Sequence, residues 1–123
     1  MTRINCVPVS ELCDQHLIAE YRELPRVFKL ARTDAEIPST YRMGKGHVSF
    51  FYDKLAYLWE RWLTLKDEMQ KRGFHVSSEH TSYVMSIAFV TKLNNLWNTW
   101  QPDQHALNTN RARLVVRMEG MRK

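Results

Sequence analysis

Between residues 51 and 69, Phe51, Leu55, Leu58, Trp62, Leu65 and Met69 recur at alternating spacings of four and three. An α-helix brings such positions onto one stripe, whereas a strand would throw them to both faces. The segment from His47 onward therefore predicts one long central helix with a single apolar seam. Lys71 and Arg72 stand where cations favour a helix C-terminus, and Gly73 stands where a left-handed cap forms. The aromatic residues of the stripe are read as core and not as a platform for stacked bases.

Upstream, Ser10 is a good N-cap followed by Glu11 and Asp14, which predicts a first helix starting at Glu11. At about 100° per residue, Cys13, Leu17, Tyr21, Leu24 and Phe28 share one arc, and His16, Glu20, Arg22, Glu23 and Arg26 share the other. Pro25 cannot donate to the carbonyl of Tyr21, so a bend is expected beside this ionic cluster. Pro38, Gly44 and Gly46 mark residues 33–46 as a loop. Residues 75–82 read as a polar connection, 83–98 as a shorter helix, and Pro102-Asp103 as the start of a last helix carrying Ala106, Leu107, Leu114 and Met118. No segment reads as a strand. The expected fold is all-α, three main helices plus a shorter helical segment, in one domain spanning residues 1–123. At 44% hydrophobic, a chain of 123 residues buries a modest core without metals or disulfides.

Charge narrows the partners. The net charge is +5, from 18 Lys and Arg against 13 Asp and Glu, which favours an anionic partner. Arg111, Arg113, Arg117, Arg122 and Lys123 crowd the last stretch against Glu119, as either a phosphate-binding face or a solvated helix face. No apolar run is long enough for a membrane span and no signal pattern opens the chain, so the expectation is a cytoplasmic monomer with no membrane partner. Cys6 and Cys13 are read as reduced thiols, since two cysteines make no disulfide framework. Cys13 and His16 lack a second metal-ligand pair, so no metal site is expected. Gly44-Lys45-Gly46 precedes a helix and is a phosphate-contact candidate, but it has neither nucleotide-binding pattern, and no cofactor is expected.

Arg22 and Arg26 lie one turn apart and repel unless Glu23 or an external anion lies between them. The N-terminus offers a chemical use for such a cluster. A small residue in second place permits removal of Met1, which leaves the α-amine of Thr2 at the chain end. An α-amine has a pKa of about 7.7 to 8, and neighbouring arginines lower it further. A neutral amine is a nucleophile that needs no metal and no cofactor.

These residues sit in longer runs. MTRIN (1–5), SEL (10–12) with DQHL (14–17), AEYRELPRVF (19–28), GHV (46–48) and FFYDKL (50–55) closely resemble the phage-type pyrimidine-dimer DNA glycosylase family, also called UV endonuclease or endonuclease V. The likeness continues through KRGF (71–74) and more loosely through Pro102, Ala106 and ARL (112–114). It implies a compact all-α fold and a two-step reaction on double-stranded damaged DNA. The Thr2 amine attacks C1′ of the target sugar, the base departs, and an imine joins protein to sugar. Glu23 is the implied carboxylate that stabilises developing positive charge and assists the proton transfers leading to β-elimination. Arg22 and Arg26 are implied at the reacting centre, and Arg3, Gln15, His16 and Arg113 at the DNA; the basic last stretch and the Gly-Lys-Gly turn, not the resemblance, add Arg117 and Lys45 as further expected contacts. Family members distort the duplex and extrude a base to reach C1′.

The chain departs from the family in lacking its aromatic C-terminal segment and in residues 75–100, so the resemblance does not assign which lesion is excised. Two other readings are open on sequence alone. One is a non-catalytic DNA-binding module that keeps the scaffold, favoured if Met1 is retained. The other is a helical protein that binds a partner protein through an exposed Phe51 or Trp62.

Overall fold

The computed structural model describes residues 2–93 and 95–121. The described residues are helical, with no strand among them: α1 (Asp14–Glu23), α2 (Arg26–Leu30), α3 (Leu55–Lys71), α4 (Ser78–Val90) and α5 (Gln104–Met121). Short 3-10 turns at Val9–Glu11, Ser49–Phe51 and Thr91–Leu93 connect them. No described helix is long and apolar enough to cross a membrane.

The central helix is α3, and it buries Leu55, Leu58, Trp62, Leu65 and Met69, as the spacing predicts. It starts later than the seam does. Phe51 is fully buried but belongs to its own 3-10 turn, and Lys54 (φ −126°, ψ 40°) separates the two. The separation gives the first amides of α3 partners outside the helix. Leu55 N–H donates to the Leu96 carbonyl (3.0 Å) and Tyr57 N–H to that of Asn98 (3.2 Å). At the other end Gly73 takes φ +87°, Gly73 N–H bonds the Gln70 carbonyl (3.0 Å) and Phe74 N–H bonds that of Met69 (2.9 Å). This is a Schellman cap on the glycine that the sequence marks. Phe51 and Trp62 are both fully buried, which removes the reading in which they dock a partner protein.

The first helix begins at Asp14 and not at Glu11. Leu12 is extended (ψ 136°) and buried, so the chain closes one turn over Val9–Glu11, straightens, and enters α1 with Cys13 as the N-cap. Ser10 therefore caps nothing. At Pro25 the bend is a break between α1 and α2, although Leu24 and Pro25 both keep right-handed helical dihedrals. The Tyr21 carbonyl, which Pro25 cannot serve, accepts the indole N–H of Trp62 at 3.0 Å. The proline is thus tied to the middle of α3.

α4 also differs from expectation: it covers Ser78–Val90 and not 83–98. Ser77 caps it by accepting the His80 N–H (3.2 Å), a serine signal hidden in a stretch that reads as polar loop. Trp97 and Trp100 fall outside it and pack, half-buried, against the core. Trp100 stacks on Tyr41 and meets Phe50, Phe51 and Tyr57 edge-on, and Trp97 stacks on Phe28. α5 starts where Pro102-Asp103 predicts, with Asp103 Oδ1 accepting the Ala106 N–H at 2.8 Å.

Candidate active site and nucleic-acid interface

The chain enters the fold as an irregular, buried segment. Thr2, Asn5 and Cys6 are each under a tenth exposed, and Ile4 and Val7 are fully buried. Backbone buried outside helix or sheet needs partners, and here four side chains, from the α2–α3 connection, α3 and α5, supply them. Ile4 N–H donates to His47 Nε2 (2.8 Å), and the Ile4 carbonyl accepts the Tyr41 hydroxyl (2.8 Å). Asn110 Oδ1 accepts both Cys6 N–H (2.7 Å) and Val7 N–H (3.1 Å). Arg61 donates to the Val7 carbonyl and pairs with Glu20 through two nitrogens, at 2.8 and 3.1 Å. Because His47 Nε2 accepts, Nδ1 carries the proton and donates to the Arg42 carbonyl at 2.7 Å, so the ring is neutral.

Beside this segment lies a cleft of about 800 Å³. The segment contributes Arg3, Ile4 and Asn5; α1 contributes His16, Ala19, Glu20 and Glu23; α5 contributes Arg113, Leu114, Val116, Arg117 and Gly120. The spacings explain the walls, since positions 16, 19, 20 and 23 share one helical face, as do 113, 116, 117 and 120. Met43, from the loop before His47, closes one side.

The charges in the cleft are unequal. Glu20 is consumed by Arg61, both nearly fully buried. Glu23 has no ion pair among the described residues, so it does not neutralise Arg22 or Arg26. Against this carboxylate stand the guanidinium groups of Arg3, Arg113 and Arg117. Burial lowers the pKa of Arg113, and Arg117 and Arg3 lower it further, the signature of like charges crowded together. His16 is shifted below the ordinary histidine value by burial first and then by Arg117. Its Nδ1 is buried with no hydrogen-bond partner among the described residues, and the same holds for Arg113 Nε. A cleft rich in arginine donors suits a phosphate, and a free carboxylate within it suits a developing cation or a proton in transit.

The structure thus brings together Arg3, His16, Glu23, Arg113 and Arg117, with Thr2 next to Arg3 in the chain. It does not bring Arg22, Arg26, Gln15 or Lys45 into the cleft. All four are exposed, with Arg22 and Arg26 flanking the Pro25 break and Lys45 two residues beyond Met43. The ionic arc read from α1 is therefore divided: Glu20 turns into the core, His16 and Glu23 face the cleft, and Arg22 faces solvent. Arg111 goes elsewhere, forming a bidentate pair with Glu11 at 2.9 and 3.0 Å. Arg122 and Lys123 lie outside the described residues.

Sequence reasoning missed Asn5, Glu20, Tyr41, His47, Arg61 and Asn110, which hold the N-terminal segment. One signal was available: Arg61 lies beside the apolar seam of α3, three residues after Leu58 and four before Leu65, and a charge there needs a buried partner. Cys6 is no rival nucleophile, because burial foremost pushes its thiol up to about 12.

Residues 1–82 match the model of a protein family described as pyrimidine dimer DNA glycosylase. The match covers the N-terminal segment, α1, α2 and α3 and ends inside α4, so the wall carrying Arg113 and Arg117 lies beyond it. Matching two thirds of the sequence, with an all-helical fold around a basic cleft, the chain belongs to the pyrimidine dimer DNA glycosylase family.

Proposed function

We propose that the protein is a DNA repair glycosylase with abasic-site lyase activity, acting on a pyrimidine dimer or a related damaged or modified base in duplex DNA. The nucleophile is the α-amine of Thr2 after removal of Met1. Its lone pair forms a bond to C1′ as the bond from C1′ to the base breaks and the electron pair leaves with the base. Loss of protons from nitrogen and opening of the sugar ring give an imine between Thr2 and C1′. Abstraction of a C2′ proton then expels the 3′ phosphate by β-elimination, cutting the strand without hydrolysis and without a metal or cofactor.

Glu23 is the carboxylate that faces the positive charge developing on the sugar and shuttles protons at ring opening and C2′. Arg3, Arg113 and Arg117 hold the backbone phosphates around the target nucleotide, and their field favours the neutral form of the amine. His16, kept neutral by burial and Arg117, donates or accepts a hydrogen bond at the reacting sugar. Arg22, Arg26, Gln15 and Lys45, outside the cleft, contact the flanking duplex.

The observation that carries this reading is Glu23: a cleft carboxylate with no ion pair among the described residues, beside three arginines and the buried N-terminal segment. Glu23→Gln tests it. Binding to a UV-irradiated or abasic duplex is expected to persist while nicking is lost. A variant that nicks at the wild-type rate would remove Glu23 from the chemistry.

A further inference from the structure

Buried side-chain hydrogen bonds tie the two cleft walls together. On α1, Glu20 lies between His16 and Glu23, four residues after one and three before the other, and it is 1% exposed. On α5, Asn110 lies three and seven residues before Arg113 and Arg117 and is fully buried. Asn5 bridges them. Its Nδ2 donates to Glu20 Oε1 at 2.8 Å, and its Oδ1 accepts from Asn110 Nδ2 at 2.7 Å. Asn110 then uses its remaining oxygen on the amides of Cys6 and Val7.

We propose that Glu20, Asn5 and Asn110 form a positioning chain that sets the distance from the Thr2 amine to both the Glu23 carboxylate and the Arg113–Arg117 wall. The proposal rests on the reading of Thr2 as the nucleophile. Each of the three side chains is satisfied in one geometry only. Asn5 uses an amide hydrogen on Glu20 and its oxygen on Asn110, and Asn110 uses an amide hydrogen on Asn5 and its oxygen on Cys6 and Val7, so neither amide can flip without losing its bonds. Glu20 is fixed from behind by Arg61, which also holds the Val7 carbonyl. A shift of α5 against α1 must therefore break a buried hydrogen bond, and the segment that carries Thr2 lies at the junction. None of the three needs to touch DNA. They act by holding the groups that do, and displacement of a nucleophile by about 1 Å costs on the order of a hundredfold in rate.

The test is single-turnover borohydride trapping on an abasic duplex, read alongside the DNA dissociation constant and the fraction of protein that is trapped. Asn110→Ala is expected to lower the trapping rate constant roughly tenfold to a hundredfold, with binding unchanged. Asn5→Ala leaves the Glu20–Arg61 pair intact and should give the same split, which secures the test if Asn110→Ala does not fold. Because the two side chains share one hydrogen bond and each also makes its own, the double variant should be slowed by less than the product of the two single effects. A merely structural role predicts the opposite pattern: a smaller trapped fraction with the rate constant unchanged, and that result overturns the proposal. Wild-type protein that forms no adduct sinks the amine reading and this proposal with it. A wild-type adduct with unaltered rates in both variants sinks the positioning role alone.

Discussion

His47 shows how one side chain can tie the site to pH. Its ring is fully engaged between the Ile4 N–H and the Arg42 carbonyl, and protonation would turn the Nε2 acceptor into a donor facing another donor. Burial lowers its pKa most, the Arg42 carbonyl opposes the shift, and Arg3 and Arg113 add to it. The folded value thus lies below the unfolded value near 6.5, so the unfolded state binds more protons as pH falls. Stability from this group is full above the ordinary histidine range and is lost as pH drops through the depressed folded value. His16 is shifted the same way and contributes in the same direction. Urea unfolding between pH 8 and pH 5 should show this acid loss, and His47→Gln, which keeps an acceptor, should show a shallower one. An identical pH slope in the variant would mean that His47 is not held neutral by the fold.

At the scale of elements, the helix ends are where local chemistry decides most. α3 was legible because its seam, its basic last turn and Gly73 all agree. Gly73 takes φ +87°, and a Cβ added there would meet nothing within 4 Å. Gly73→Ala should therefore cost about 1 to 2 kcal/mol, all of it from the left-handed backbone, measured as a lower urea midpoint with an unchanged slope. A neutral substitution would contradict the cap. The start of α1 was not legible: Ser10-Glu11 carries a cap signature, but burying Leu12 in an extended conformation prevails over it. The start of α4 was hidden for a related reason, since a single capping serine inside a polar run gives no periodicity. Pro25 announced an interruption, and only the fold shows that the Trp62 indole takes up the carbonyl it leaves.

At the scale of the whole molecule, the cleft is a long-range object. Arg3, Glu23 and Arg113 come from the segment before the first helix, from α1 and from α5. Helical periodicity speaks for one element at a time and cannot say which polar faces converge. It also treats every polar residue as a surface residue, so Glu20 was placed on an ionic arc and Arg61 and Asn110 went unread, although all three are buried. The residues themselves raised Thr2, the Arg22–Glu23–Arg26 cluster and the basic last stretch, the resemblance added their roles, and the structure separates the residues that share a cleft from Arg22 and Arg26, which do not. On the proposed reading, the N-terminal backbone is locked into place so that the Thr2 amine can act beside Glu23, a carboxylate with no ion pair among the described residues, in a cationic cleft. The most direct test is to map the borohydride-trapped adduct by mass spectrometry after digestion. The account predicts that the DNA-derived mass sits on the α-nitrogen of Thr2, in protein that has lost Met1. An adduct on a lysine such as Lys45, or on chains that retain Met1, would contradict it.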